Sequence, residues 1–459
     1  MGGTDHSFAV LLQFLEDSIW DFPDIRKGKN TVYEIRDAVL SAFSVFFMQC
    51  PSFLAHQKAM QTTKGKNNAS TIFGVHKIPS DTHIRNLLDP IPPYLLFPLF
   101  DKIYSFLVEQ GYIAELVTSD GLLLIALDGT WFYTSQQLQC GSCQTKKHKN
   151  GTTTYYHSAI TPVIVNPATN QVVSLPPEYI TVDDGSTKQD CENKAAKRWM
   201  ETFAYRYLSS KYTVTLLGDD LYSRQPVCEH TLKSNCNFIY VCKTSSHKYL
   251  YQWVEEFSPS DLHQTTDRQW DGKRRVFNQY RYRNGVPIRD GEDAQMANWM
   301  DLTIFDSDGN VVKRFSFVTN ITITDQNIRS MIAYGRSRWK IENGNNNILK
   351  TKGYHLEHNF GHGSQNLSNF LMTLNLLSNA IKFTSAGGEV KVGACLDSQG
   401  GAEITIADND VGIAKEDMEM ILLPFSQVDS TNFSTEGGTG LGLSIVNSLV
   451  ELQGGDLKI

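Results

Sequence analysis

Along the first 120 residues, apolar positions recur at helical spacing in Phe8–Ile19 and Val32–Met48, and Pro90–Leu107 is an apolar segment punctuated by proline. The polar stretch Lys58–Ser70, with Lys64-Gly65-Lys66-Asn67-Asn68 inside it, reads as a loop. Residues 1–120 are therefore expected to form a helical N-terminal region. The pattern then changes. Gly121–Leu127 is a short continuous apolar run ending in Asp128-Gly129, which predicts a strand buried on both faces with a carboxylate at its carboxyl end. Thr153–Val165 and Gln171–Thr181 read as strands. Asp190–Ser209 reads as a helix with Ala195, Ala196, Trp199 and Phe203 on one face. Tyr212–Leu217 is a further strand, followed by Gly218-Asp219-Asp220. Strands alternating with a helix in this order predict an α/β layer architecture with acids at strand ends.

Residues 235–320 are β-rich, with strands expected at Asn237–Lys243, Tyr249–Phe257, Val276–Arg283 and Val311–Val318. Asn284-Gly285 and Asp308-Gly309 are hairpin-type pairs. This is an insertion of about residues 224–324, and a helix over Asp325–Lys350 follows it.

Charge divides the chain further. Among 459 residues, 42 Lys and Arg against 49 Asp and Glu give −7. Residues 371–459 hold four Lys, no Arg and twelve acids, a local −8, so residues 1–370 sum to +1. The break near residue 370 marks a second module. Eight Cys in this length exclude a disulfide scaffold and fit a reduced, cytoplasmic setting. Glu16, Asp17 and Asp21 interrupt the first apolar stretch, so no signal peptide is expected. No apolar run approaches ~18 residues, so no membrane span is expected.

Asp128, Asp219 and Glu342 are distant in sequence, two at strand ends and one on a helix. Three acids from separate elements suit Mg²⁺ or Mn²⁺, hard ions bound through a few carboxylates. A pair of such ions can clamp the attacking and leaving oxygens of a phosphodiester. Basic clusters stand ready for DNA phosphates: Lys146, Lys147 and Lys149; Lys273, Arg274, Arg275, Arg281 and Arg283; Arg336, Arg338 and Lys340. Trp270, Tyr280 and Tyr282 interleave with them. An Asp after a strand is equally a turn former or helix cap, and a basic cluster is equally a solvated face. Cys140-x-x-Cys143 with His148 and His157 has the donors of a zinc site, or is a set of packed thiols.

Leu127–Thr130 (LDGT), Lys188–Glu192 (KQDCE), Gly218–Ser223 (GDDLYS), Gly335–Asn343 (GRSRWKIEN) and Gly353–Gly363 (GYHLEHNFGHG) together resemble an insertion-sequence DDE transposase over roughly residues 8–376. The resemblance implies a ribonuclease H-like core over residues 121–373, the β-rich insertion between the second and third acids, and metal-dependent cut-and-paste strand transfer on transposon-end DNA by a homodimer. It maps the acids to Asp128, Asp219 (with Asp220 as the alternate) and Glu342. Arg336, Arg338, Lys340 and Lys350 would meet DNA. Tyr334 and Lys350 each fall one residue off the family spacing; Tyr334, Arg338 and Lys350 would position a phosphate or stack a base.

The tail carries a second set. Asn375 and Asn379 share one helical face with Lys382 nearby. A β-like run, Ala402–Ala407, leads to Asp408-Asn409-Asp410-Val411-Gly412. Pro424-Phe425-Ser426-Gln427 follows, then Gly437-Gly438-Thr439-Gly440-Leu441-Gly442 at the start of an apolar helix. In this order they resemble the ATP-binding domain of sensor histidine kinases, an α/β sandwich, here as a truncated domain over residues 374–459. The resemblance implies that Asn375 (a Mg²⁺ ligand), Asn379 and Lys382 meet Mg²⁺-ATP, that Asp408 reads adenine with Gly412 beside it, and that Gly440 and Gly442 line the lid. Asp410 stands where the family has glycine, and no phospho-accepting His box is present, so autokinase activity is not expected. Ser368–Leu377 fits both families without a linker. This points to a transposase frame joined inside a kinase gene. The functional alternatives are kinase-type ATP binding from the tail, or an inactive recombination relic. In such a fusion Leu367, Phe370, Leu371, Leu374 and Leu377 would serve one core or the other.

Overall fold

The computed structural model describes residues 7–27, 31–62, 66, 69–181, 190–256, 261–270, 275–351, 353–384, 390–396, 402–408 and 457. The N-terminal region is helical, as expected: α1 (Ser7–Ile19), α2 (Ile35–Phe47), α3 (Phe53–Met60), α4 (Asp81–Leu88), a 3₁₀ turn at Pro93–Leu96, α5 (Phe97–Glu109) and α6 (Tyr112–Leu116). Local chemistry sets the starts. Ser52 Oγ accepts from Ala55 N, and Glu34 with Asp37 forms a capping box. The loop expected over Lys58–Ser70 begins inside the last turn of α3.

One nine-stranded sheet dominates, in the order β10-β11-β12-β13-β9-β8-β1-β5-β6. Its core is β6 (Val173–Ser174), β5 (Val163–Val165), β1 (Leu122–Ala126), β8 (Thr213–Gly218) and β9 (Asn237–Val241). β5 is antiparallel to β1, while β1, β8 and β9 are parallel. That is the ribonuclease H-like arrangement the sequence led us to expect. The period of two divides the core. Leu123, Ile125 and Leu127 join the cluster built with the helical region, whereas Leu122, Leu124 and Ala126 join the cluster beneath α10 (Ile328–Arg336). A smaller sheet joins β2 (Gly129–Ser135), β4 (Thr153–Ile160), β3 (Gln144–Lys147) and β7 (Glu178–Ile180).

Several elements differ from the sequence reading. Gln171–Thr181 is split between two sheets, as β6 and β7. Between α7 (Glu192–Phe203) and the insertion, α8 (Gln225–Lys233), β9 and α9 (Lys248–Glu256) precede β10 (His263–Trp270). The β-rich insertion is β10, β11 (Arg275–Pro287), β12 (Met296–Phe305) and β13 (Val311–Thr319), continuing the core sheet through β9. Tyr249–Phe257, expected as a strand, is helical through Glu256 because Leu250, Tyr251 and Val254 share a buried face. Asn284-Gly285 lies at a register shift within β11 rather than in a turn. Asp308-Gly309 does turn the chain between β12 and β13, where Gly309 N donates to Asp306 O.

After the short α11 (Asn347–Thr351), the junction is one helix, α12 (Leu367–Thr384). Leu367, Phe370, Leu371, Leu374 and Leu377 are all buried, and every residue from Phe370 to Ile381 is buried. A helix buried all round lies inside a core. It packs against α1, α2, α5 and β6, so these leucines serve the transposase-like core. Beyond it, β14 (Val390–Leu396) and β15 (Ala402–Asp408) form an antiparallel pair. Among the described residues, no helix is long and apolar enough to cross a membrane.

Candidate active site

The parallel pairing of β1 with β8 sets Ala126 opposite Leu217, and Leu127 N donates to Leu217 O. Asp128 and Asp219 are each two residues further on, so both acids leave the same edge of the sheet at adjacent strand ends. Glu342 arrives from a π-helical turn, Ile341–Asn346, after α10. Arg338 bridges the group: Nη2 lies 2.6 Å from Glu342 Oε1, and Nη1 lies 3.9 Å from Asp128 Oδ1. Nη1 is buried and has no hydrogen-bond partner.

The carboxyl of Asp128 feels the neighbouring charges. Burial drives the Asp128 carboxyl up to about 7, the negative charges of Glu192, Glu342 and Asp219 add to the rise, and Arg338 opposes it. Asn346 Nδ2 donates to Asp128 Oδ2 at 3.3 Å. Glu192, within the KQDCE segment but unassigned by the sequence reading, is a fourth acid in this cleft. Its Oε1 accepts from Tyr222 Oη at 2.9 Å, its carboxylate accepts from Gly129 N, and burial raises its pKa. At the start of α7 it resembles a helix-cap acid in sequence, and only the fold brings it here. Two glycines make room. A Cβ on Gly129 would lie 2.6 Å from Glu192 Oε2, and one on Gly218 would lie 2.6 Å from the Tyr222 ring. Asp220 serves elsewhere, accepting from Lys243 N and Ser246 Oγ, which favours Asp219 as the second acid.

The basic residues divide. Arg336 is exposed, with its guanidinium 4.6 Å from the Phe315 ring centre. Lys350 is paired with Glu357 at 2.8 Å. Lys340 does not reach a DNA surface as the sequence reading had it. It is 5 % exposed, and Nζ donates to the carbonyls of Asn166, Pro167 and Thr169, because the helical turn points it under the sheet edge. Burial lowers its pKa. Tyr334 is likewise buried, donating to Asp120 at 2.5 Å, away from any base. Tyr280 and Tyr282 are buried and Arg281 is paired with Asp301, whereas Trp270 is 65 % exposed. Lys273 and Arg274 lie outside the described residues.

Of the tail's nucleotide-pocket residues, only Asn375 and Asn379 have described side chains. Asn375 and Asn379 are buried within α12. Asn375 Nδ2 donates to Tyr354 O at 2.8 Å, and Asn379 Nδ2 to Asn345 Oδ1 at 3.4 Å. Asn345 donates to Asn346, which donates to Asp128, so a chain of amides runs from the junction helix to the first acid. Lys382 and Asp408 belong to α12 and β15, but the structure does not describe their side chains, and Gly412, Gly440 and Gly442 lie outside the described residues.

Comparison with known proteins agrees with this division. Residues 120–380 match the Transposase DDE domain family, and residues 367–459 match the histidine kinase-, DNA gyrase B- and HSP90-like ATPase family. The two matches overlap on α12. An uncharacterized sensor-like histidine kinase of Rhizobium meliloti is 44% identical over 86 residues, 19% of this chain and 16% of that protein. Histidine protein kinase DivJ of Caulobacter vibrioides is 44% identical over 88 residues, 19% of this chain and 14% of its own. The chain thus spans about a sixth or less of these kinases. A solved piggyBac transposase synaptic complex with hairpin DNA aligns over 83% of this chain and 73% of that one, at 8% identity and a TM-score of 0.37. The chain belongs to the DDE transposase domain family, and its C-terminal residues 367–459 are similar to the histidine kinase-, DNA gyrase B- and HSP90-like ATPase family.

Proposed function

We propose that this protein cleaves and transfers DNA strands at transposon ends through a divalent-metal site held by Asp128, Asp219 and Glu342. The observation that carries the reading is geometric: Asp128 and Asp219 leave adjacent parallel strand ends, and Arg338 ties Glu342 to Asp128. Buried acids that repel one another are a donor set suited to a hard cation. Bound there, Mg²⁺ or Mn²⁺ would supply activation of water and then of a 3′-hydroxyl for in-line displacement. The chain's own residues would do the rest. Asp128 would hold the ion as a carboxylate oriented by Asn346, and Tyr222 and Gly129 N hold Glu192 in the cleft. Arg338 Nη1 is free to donate to a phosphate oxygen, with Arg336 on the adjoining surface. Two copies of the chain would hold two DNA ends together.

Metal-dependent cleavage of DNA bearing the inverted repeats that flank the gene tests this reading. It should occur with Mg²⁺ or Mn²⁺ and be lost in Asp128→Ala. An inactive wild type under conditions where the same DNA is bound would favour the relic instead.

The ATPase-family match supports a second, subordinate reading, that the tail binds Mg²⁺-ATP through Asn375, Asn379, Lys382, Asp408, Gly412, Gly440 and Gly442. Because Asn375 and Asn379 are committed inside the DDE core, such a site would form only where α12 leaves that core. A fluorescent ATP analogue should therefore bind weakly while α12 is docked, and whatever binding occurs should be lost in Asn379→Ala. Binding lost in that variant would place the nucleotide on α12.

A further inference from the structure

Away from the carboxylates, four sulfur and nitrogen donors converge. The turn after β2 brings Cys140 and Cys143 together, with Cys143 N donating to Cys140 O and Cys140 N pointing at Cys143 Sγ, 3.4 Å away. β4 contributes His157, paired across the small sheet with Tyr133 of β2. The fourth donor, His362, comes from the segment just before α12, its ring stacked on Tyr133 at 4.1 Å between centres. Cys140 Sγ and Cys143 Sγ are 3.7 Å apart. His157 Nε2 is 3.4 Å from each sulfur, and His362 Nε2 is 3.5 Å from Cys143 Sγ. All four ligand atoms lie within 4.8 Å of one another.

Four of the six separations match the edges of a tetrahedron. With Zn–S about 2.3 Å and Zn–N about 2.0–2.1 Å, tetrahedral geometry gives S···S of about 3.8 Å and S···N of about 3.6 Å. Thiols alone could each donate to an imidazole Nε2, but such bonds do not require two sulfurs and two imidazoles to face one common point. A disulfide is not formed, since the sulfurs are unbonded at 3.7 Å. His148, the sequence reading's other histidine, is not part of the group, because its Nε2 bonds Thr154 Oγ1 at 2.8 Å.

We propose that Cys140, Cys143, His157 and His362 bind one structural zinc ion. Four protein donors close the coordination sphere, so the ion holds structure and is not catalytic. Sulfur and imidazole suit zinc, whereas the carboxylates around Asp128 suit Mg²⁺ or Mn²⁺, so the two sites select different metals. The ion joins the Cys140–Cys143 turn and the nearby β4 to the distant segment leading into α12. That segment is also held by Asp89, whose carboxylate accepts from the backbone N–H groups of Ser364, Gln365 and Leu367. The zinc would thus fix the start of the junction helix against the sheet whose first strand begins directly after Asp128.

The test is metal analysis of the purified full-length chain, kept reduced and free of chelator. About one zinc per chain is expected, released when the thiols are blocked. Cobalt substitution should give thiolate-to-cobalt charge transfer and intense tetrahedral visible bands. Cys143→Ser and His362→Ala should lower zinc content at least tenfold, and His148→Ala should leave it unchanged. If the two depleted variants do not fold, the wild-type zinc content and cobalt spectrum decide alone. Wild-type protein without zinc and without a cobalt–thiolate band would overturn the proposal, as would a folded His362→Ala that keeps its zinc. The readout is metal content, so its failure would leave the strand-transfer reading untouched.

Discussion

Replacing Asp128 with Asn should make the protein more stable while destroying its activity, and the gain should depend on pH. Burial and the charges of Glu192, Glu342 and Asp219 raise the Asp128 carboxyl from 3.8 to about 7. That shift makes the ionised form costlier in the folded state by on the order of 4 kcal/mol. The folded protein keeps this proton to higher pH than the unfolded chain does. Stability attributable to this group therefore falls as pH rises from about 4 to about 7, and the full cost is present above that. Asn has the same shape without the charge, but it loses the attraction of Arg338 Nη1 at 3.9 Å. The gain should be about 2–3 kcal/mol larger at pH 8 than at pH 5, a difference of a few degrees in apparent Tm. Thermal melts of wild type and Asp128→Asn in magnesium-free buffer at the two pH values measure it. Added Mg²⁺ should stabilise the wild type and narrow the gap, because binding favours the folded form. A variant no more stable than wild type at pH 8, or equally stabilised at both pH values, would refute the crowding of acids on which the site rests.

Lys340→Ala should lower the melting temperature by the equivalent of about 2–4 kcal/mol, since three buried carbonyls lose their donor. It should leave the salt dependence of DNA binding unchanged, whereas Arg338→Ala should reduce that slope by about one ion, as filter binding at graded salt would show. Gly129→Ala should displace Glu192 and cost about 1–3 kcal/mol of stability together with strand cleavage; a crystal structure with Glu192 unmoved would contradict this. Asp89→Asn should destabilise by about 1–3 kcal/mol at pH 7. Although burial pushes Asp89 up, its hydrogen bonds from Ser364, Gln365 and Leu367 hold its carboxyl below 3.8. The deficit should therefore shrink as pH falls below that value, which denaturant melts across the acid range can follow.

The apolar run Gly121–Leu127 and the acids after it were readable because a strand buried on both faces has no polar position until it ends. Asp219 was readable for the same reason. Glu192 was not, because a helix-start acid looks like a cap until the topology sets it against Gly129 and Tyr222. Lys340 misled because charge patterning records a residue's charge but not its direction, and the helical turn just before the π-helix aims it at the carbonyls of Asn166, Pro167 and Thr169. His362 lies 219 residues from Cys143, a separation that no spacing rule covers. The tail's asparagines were legible as a motif shared by two families. That the junction helix serves the DDE core shows only in its packing, where no residue from Phe370 to Ile381 remains exposed.

Anomalous diffraction from crystals soaked in Mn²⁺ addresses the central claim most directly. The account predicts manganese at the joined ends of β1 and β8, touching both Asp128 and Asp219, with Glu342 turned toward it and the signal gone in Asp219→Asn. A map with no manganese there, in crystals that take up the ion elsewhere, would contradict it.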